Sequence, residues 1–382
     1  MLLYYQWLVA LISFYVLACC AYNLRYMLRT PTRWLPEDAV PRVSILVPAR
    51  NEERNIVPCL ESLVAQDYPN LEIIVLDDGS TDATPDLVKE ICSRHPMVTL
   101  RRGLPLPPDW HGKAWACHQL AQVAAGDWLA FVDADSRLRP DTVSSAVALA
   151  RANDLDLISL LPEMGRKSFG VQLLLAVIPF VFMGCVPQPL FTRAQHPLMT
   201  TAIGPFMLFR RKVYQRFGGH AAVRRDIVDD VYLARWVKRV GGRVALADGA
   251  ATLYVEFYRD FREAWRGLGK SAFAAFDYAV GGMLLALGAA ALVFVGPYLF
   301  VYSAWRQSLS DSAHLWLPLL QISLVWLAMW LICERLAIPR RHALLIGLTV
   351  LSVIVLGLHS IVQSVLGPGV VWKERTYQFR PR

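Results

Sequence analysis

Three acidic clusters follow one another along the chain: Asp77-Asp78 in LEIIVLDDGST, Asp133-Ala134-Asp135 in WLAFVDADS, and Asp229-Asp230 in RRDIVDDVYLAR. Clustered carboxylates repel one another unless a proton or a cation is shared. Hard divalent cations take oxygen ligands and commonly sit between carboxylates and phosphates. The clusters therefore predict a divalent metal that holds a phosphorylated substrate. One carboxylate is then left over as a base.

The elements around the clusters set where they stand. The first two follow short runs rich in Ile, Val, Leu and Phe, the pattern of buried parallel strands. VSILVPA, LEIIVLDD, DWLAFVDAD and DLISLLP read as strands. NIVPCLESLVAQ, DATPDLVKEICSRH, KAWACHQLAQVAA and TVSSAVALARAN read as the helices between them, the second capped by Asp82. The expected fold class is α/β, a mostly parallel sheet with helices on both faces. Ligands of such sheets bind outside the carboxyl ends of the strands, where the first two clusters fall. Residues two apart on a strand end point the same way, so Asp133 and Asp135 are both expected to reach the metal.

The 382 residues are 55% hydrophobic and only 18% charged, too apolar for an ordinary soluble enzyme. The excess is concentrated in four runs, Leu2 to Asn23, Tyr278 to Trp305, Ser312 to Cys333 and Ala343 to Trp372, none of which contains Asp, Glu, Lys or Arg. Each is long enough to cross a bilayer. The first lacks a basic n-region and an A-x-A cleavage site and reads as a retained anchor. Residues 1–24 are thus an expected anchor and 25–260 the catalytic domain, with 168–192, interrupted by Pro179, Pro187 and Pro189, read as an interfacial or re-entrant segment. In residues 261–276, Phe261, Trp265, Leu268 and Ala272 line one helical face opposite Arg262, Arg266 and Lys270, which predicts a helix lying in the membrane interface. Residues 277–370 supply the C-terminal membrane helices and 371–382 a basic tail.

The net charge of +8 is concentrated beside these segments, at Arg25, Arg29, Arg33, Arg335, Arg340 and Arg341. That placement fits the positive-inside rule and anionic lipid rather than nucleic acid. A cytosolic polar domain makes the ERLAIPRR loop cytosolic too, whereas a fourth full span carries the basic tail outside, against the rule. The seven cysteines form no C-x-x-C pair and read as buried thiols of a reducing compartment.

Taken together, VSILVPARNEERNI, LEIIVLDDGSTDAT, HGKAWACHQLAQVAAGDWLAFVDADSRLRPD, GPFMLFRRKVYQRFGGH and IVDDVYLARWVKRVGGRV resemble a membrane-anchored family 2 glycosyltransferase with a GT-A catalytic fold. The resemblance covers roughly residues 42–270 and is nearest to enzymes that glycosylate lipids, including hopanoid- and carotenoid-associated transferases and, more distantly, ceramide glucosyltransferase. It implies that Pro48, Ala49, Arg50 and Glu52 hold the nucleotide and that Asp78 contacts its base or ribose. Asp133 and Asp135 become the D-x-D that holds Mg2+ or Mn2+, Asp133 also facing the donor. Lys113 lies near the nucleotide sugar, and Asp230, with Asp229 beside it, becomes the catalytic base.

Two departures qualify the resemblance. No Q-x-x-R-W motif of processive synthases is present; Arg262 and Trp265, with Lys270, occupy a related place on the acceptor and diphosphate side. Where related lipid transferases carry Arg-Met-Tyr, this chain reads Glu256-Phe257-Tyr258. His111, His118 and His220 lack metal-ligand spacing and read as structural. The expected activity is inverting transfer from a nucleotide diphosphate sugar to a lipid acceptor, in a bacterial inner membrane with the catalytic domain cytoplasmic. A processive polysaccharide synthase and a non-enzymatic scaffold remain the alternatives, and the oligomeric state is left open.

Overall fold

The computed structural model describes residues 1–30, 40–164, 167–366, 370–372 and 375–377. Arg33 and most of the basic tail lie outside the described residues. The chain forms two compact units. One comprises Met27–Glu163 and Gln188–Phe257, the other Met1–Tyr26, Met164–Pro187 and Tyr258–Arg382.

The first unit is built on strands β1 (Val43–Ala49), β2 (Leu71–Asp77), β3 (Val98–Arg102), β4 (Trp128–Val132), β5 (Ser136–Leu138), β6 (Leu157–Leu161), β7 (Phe206–Arg210), β8 (Val244–Asp248) and β9 (Leu253–Val255). Among the described residues, seven of them form one sheet in the order β3-β2-β1-β4-β7-β6-β8. β1 pairs in parallel with β2 and with β4, while β7 runs antiparallel to both β4 and β6. The sheet is thus mostly parallel, with one reversed strand that the apolar run FMLF supplies. β1 neighbours β2 on one side and β4 on the other, so the strand order switches direction there. Ligand crevices of open α/β sheets open at such a point.

Alternation of side chains explains the two-faced core. Ile45, Val47, Ile73, Val75 and Ala130 enter one apolar cluster, closed by Ile56, Leu60 and Leu63 of one helix and Val143 and Val147 of another. Leu46, Ile74, Leu76, Leu129 and Phe131 enter the other, closed by Leu120 of the helix Gly112–Val123 and by Leu233, Ala234 and Val237 of the helix Asp229–Arg239. The latter helix has Asp229 and Asp230 in its first turn and Lys238 and Arg239 in its last, the charge order that a helix dipole favours.

β4 stops at Val132, one residue before the D-x-D. Asp133 and Asp135 therefore stand on the turn between β4 and β5, rather than on a continuing strand. The turn is closed by the Ser136 amide donating to Asp133 O at 2.9 Å.

Among the described residues, the second unit contains four helices long and apolar enough to cross a membrane: Leu2–Tyr26, Val280–Gln307, Ser312–Arg335 and Ile346–Val365. The apolar helical stretch Phe169–Cys185 is shorter than these. Large apolar side chains point outward all along the long helices, among them Trp7, Phe14, Leu285, Leu299, Leu351 and Val362. A lipid environment is the solvent that suits such a surface. Some inward polar groups pair across helices: Gln321 Nε2 donates to Gln6 Oε1 at 2.9 Å, and Asn23 Nδ2 to Met183 O at 2.8 Å. The seven cysteines are free thiols.

The helix Phe261–Ala274 starts at Asp260, whose carboxylate accepts from the Glu263 amide at 2.8 Å. Its buried residues are Ala264, Gly267, Gly269, Phe273 and Ala274. Phe261, at the head of the stripe expected to meet the membrane interface, is exposed. Close packing explains which side is buried. A Cβ at Gly267 would fall 2.4 Å from the Tyr258 ring, and Gly269 O accepts from Ser360 Oγ at 2.6 Å. Small residues let the helix approach its neighbours, and the bulky Phe261 and Trp265 are left to the periphery.

Candidate active site

The carboxyl ends of β1, β2 and β4 carry the first set of predicted residues. Pro48 and Ala49 end β1, in register with Leu76 and Asp77 of β2. The Asp78 amide donates to Ala49 O at 2.8 Å, which ties the two strand ends together. Arg50 Nη1 donates to Asp78 O at 2.6 Å and to Gly79 O at 3.1 Å, so its guanidinium braces the turn after β2. Asn51 is left-handed, with φ 53°, and its Oδ1 accepts from the Thr81 amide. The Glu52 amide donates to Thr84 Oγ1 at 2.8 Å, and Glu52 Oε2 accepts from Asn55 Nδ2. Asp82 accepts from the amide and the hydroxyl of Thr84, as a residue at a helix start does. The structure thus brings Pro48, Ala49, Arg50, Glu52 and Asp78 to one edge of the sheet, with Asp78 itself buried.

A second set converges beside it. Lys113, in the first turn of the helix Gly112–Val123, places Nζ 2.6 Å from Asp133 Oδ1. Asp230 begins its helix with Oδ1 accepting from the Val231 amide at 2.8 Å, while Asp229 Oδ1 accepts from the Asp230 amide at 3.1 Å. The point on which these groups converge is Gly204. A Cβ built there would lie 3.4 Å from Lys113 Nζ, 3.6 Å from Asp133 Oδ2 and 3.8 Å from Asp230 Oδ2. The Gly204-Pro205 segment is fastened to the D-x-D turn, because Pro205 O accepts from the Asp133 amide at 3.2 Å and from Ser136 Oγ at 3.1 Å. Gly204 was not among the residues singled out from the sequence. Its signal there is a Gly-Pro pair directly before the apolar run of β7.

The electrostatics follow from this crowding. Burial pushes the Asp230 carboxyl up to about 7, and the neighbouring Asp229 adds to the rise. The Val231 amide and Lys113 oppose it. Burial alone would depress the Lys113 ammonium, but Asp133 and Asp229 hold it above the ordinary lysine range. His220 is buried, and burial holds it down to about 3. Its amide donates to Tyr214 Oη at 3.1 Å, and the same Oη lies 2.6 Å from Nδ1. His118 stacks on Trp115 and His111 precedes the helix Gly112–Val123.

A divalent cation fits these residues. Asp133 and Asp135 are hard oxygen donors, and Asp133 Oδ2 borders the cradle that a Cβ at Gly204 would fill. Among the described residues, no group of three or more His, Cys, Asp or Glu side chains is arranged to cage an ion by itself. Arg262, Trp265 and Lys270 belong to the helical unit. There Trp265 packs between Phe261 and His359, with ring centroids 5.7 Å and 5.9 Å away.

Residues 44–218 match the family model of glycosyl transferase family 2. This stretch is similar to family 2 glycosyltransferases, and the fold is GT-A. A 4,4'-diaponeurosporenoate glycosyltransferase of Staphylococcus aureus (strain N315) is 29% identical over 275 residues, covering 68% of this chain and 70% of that one. The protein of the same name from strain USA300 is also 29% identical over 275 residues. Among solved structures, the mannosyltransferase PcManGT from Pyrobaculum calidifontis, in complex with GDP-Man and Mn2+, is similar in fold. Its TM-score is 0.53 at 20% identity, covering 94% of this chain and 99% of that one.

Proposed function

We propose that this chain transfers a sugar from a nucleotide diphosphate sugar to a membrane lipid, with inversion at the anomeric carbon and with a divalent metal. The observation that carries the reading is the meeting of Lys113 Nζ, Asp133 Oδ2 and Asp230 Oδ2 around the cradle at Gly204. A cation, a metal-type carboxylate and a base-type carboxylate stand within one small space. An apolar acceptor is supported by the four apolar helices and by the carotenoid acid in the name of the Staphylococcus relative.

In this reading the nucleotide lies along Pro48, Ala49, Arg50 and Glu52, with Asp78 accepting from its base or ribose. Asp133 and Asp135 would hold Mg2+ or Mn2+, and such an ion would supply positive charge at the diphosphate. Lys113 adds a second positive charge on the same side. Asp230 takes the acceptor hydroxyl proton as the acceptor oxygen bonds to the anomeric carbon. The bond from that carbon to the diphosphate oxygen breaks in the same displacement. Asp229 raises the proton affinity of Asp230 and is the next candidate for base. Arg262, Trp265 and Lys270 are assigned to acceptor or diphosphate recognition by the resemblance alone.

The catalytic unit is assigned to the cytoplasmic side of a bacterial inner membrane, because Arg25, Arg29, Arg335, Arg340 and Arg341 flank the apolar helices. The test is to incubate membranes with a panel of labelled nucleotide sugars, extract the lipids and weigh the products. One or a few sugars on an organic-soluble species are expected. A long polymer would identify a processive synthase. No donor-dependent product would leave only a scaffold.

A further inference from the structure

Lys238 lies in the last turn of the helix that begins with Asp229 and Asp230, and it is only 4% exposed. A buried ammonium is costly unless each of its protons has an acceptor. Here Nζ donates to Phe191 O at 2.6 Å, to Ala194 O at 2.8 Å and to Met199 O. An ammonium has three N–H groups, and three carbonyls receive them. These carbonyls come from one connection, which runs from the short helix Gln188–Arg193 to Gly204. Such a ring of main-chain oxygens is what a bound cation would otherwise organise, and the lysine supplies the cation from within the chain.

The same connection is fastened at its far end by neutral bonds. Ser159 Oγ donates to Ile203 O at 2.8 Å and accepts from the Ile203 amide at 2.9 Å. Pro205 O is held by the D-x-D turn. Ala202 and Ile203 are buried and Thr201 Oγ1 donates to Gln188 Oε1 at 2.6 Å, whereas Leu198 and Met199 are turned outward, 65% and 37% exposed, so apolar packing does not hold the part of the loop nearest Lys238. The helix that carries Asp230 at one end therefore grips, through Lys238 at the other, the loop that delivers Gly204 to the site.

We propose that Lys238 is a positioning residue, an internal cation that locks residues 191–199 to the Asp230 helix and so fixes Gly204 against Asp133 and Asp230. The proposal rests on the reading of that cluster as the site of transfer. Lys238→Met keeps an unbranched apolar stem as far as the ε carbon and removes the ammonium. In the full-length protein in nanodiscs, kcat is expected to fall roughly tenfold or more, since small misplacements at a reacting centre are costly. Affinity for the nucleotide diphosphate should stay within about twofold, because no donor residue is touched. Trypsin cleavage after the exposed Arg193, followed by mass spectrometry, should accelerate roughly tenfold as the loop opens.

A folded Lys238→Met protein with wild-type kcat, or with unchanged cleavage after Arg193, overturns the proposal. So does a donor affinity that drops in step with turnover. Lys238→Ala provides a second arm that does not depend on the methionine variant folding. Propylammonium should restore transfer and protect Arg193, whereas tetramethylammonium, which has no N–H, should do neither. Equal rescue by both ions, or by neither, also overturns it. The cleavage arm uses no substrate, so a lock can be demonstrated even if the cluster around Gly204 proves not to perform the transfer.

Discussion

Lys113 Nζ stands 2.6 Å from Asp133 Oδ1, so the first aspartate of the D-x-D is already partly neutralised by the protein itself. The lysine does this from the start of a helix whose Ala116, Cys117 and Leu120 are buried in the core. Its anchorage is therefore firm while its ammonium is free to serve either a carboxylate or a phosphate. Replacing it with methionine removes the charge that opposes Asp133, Asp229 and Asp230. We expect a higher donor KM and a transfer rate reduced by roughly tenfold or more, as for loss of a charged group at a diphosphate. Unchanged kinetics in Lys113→Met would reduce the residue to a surface lysine.

Metal dependence is the next expectation. Excess EDTA should abolish transfer, and Mg2+ or Mn2+ should restore it. Asp135→Ala should not be restored by either ion at millimolar concentration. Turnover that persists in EDTA would remove the metal from the mechanism and leave Lys113 as the main cation at the diphosphate.

Gly204 offers a test of shape. The distances from its virtual Cβ, 3.4 to 3.8 Å, are within or close to ordinary van der Waals contact, so alanine should fold without large strain. The added methyl nevertheless occupies the space between Lys113, Asp133 and Asp230. Gly204→Ala should keep its melting temperature within a few degrees, since it leaves the core untouched. Transfer should fall by roughly 10²-fold, the cost of displacing a reacting group. A stable variant with normal turnover would show that the reacting atoms do not pass through this cradle.

Much of this arrangement was legible in the sequence, and what was not has identifiable causes. Apolar runs and their alternation predicted β1, β2, β4 and β6, because burial on both faces leaves a plain signature. The D-x-D was recognised by type, but its geometry was not. The chain leaves β4 at Val132, and long-range bonds to Pro205 shape the turn that follows. The side of the helix Phe261–Ala274 that packs on its neighbours gave little signal, because close helix packing selects Ala264 and Gly267 rather than bulky apolar residues. Lys238 gave no signal, since a basic residue in a last helical turn is ordinary. Only the fold shows the three carbonyls around it.

The raised proton affinity of Asp230 gives a pH dependence with a definite sign. A carboxyl held at about 7 in the folded chain binds its proton more tightly than in the unfolded chain, where about 4 is usual. The stability this contributes is present below about pH 4 and is lost as pH rises through about 7. Activity runs the other way, because only the deprotonated form accepts a proton. kcat/KM should climb between about pH 6 and 8 and then level off. A flat profile across that range would argue that no group of this kind limits transfer.

The assignment of Asp230 to chemistry and of Asp78 to binding makes the sharpest test. A base acts mainly in the transition state, so its loss lowers kcat more than it weakens ground-state binding. Asp230→Asn keeps the shape of the side chain and an oxygen for the Val231 amide, so the start of the helix should survive. We expect near-wild-type affinity for the nucleotide diphosphate and transfer reduced by roughly 10²-fold or more. The acidic limb of the pH profile should vanish with it. Asp78→Asn should instead weaken nucleotide binding, with a smaller effect on kcat once the site is saturated. Calorimetric titration of the purified variants, set beside initial rates, separates the two outcomes. The acceptor adds a further distinction. A hydroxyl must lose its proton during attack, whereas a carboxylate arrives already ionised and needs no base. If Asp230→Asn transferred sugar at nearly the normal rate to a carboxylate acceptor but not to a hydroxyl, the residue would be the base and the acceptor class would be revealed together. If it transferred normally to both, the base would have to be sought at Asp229.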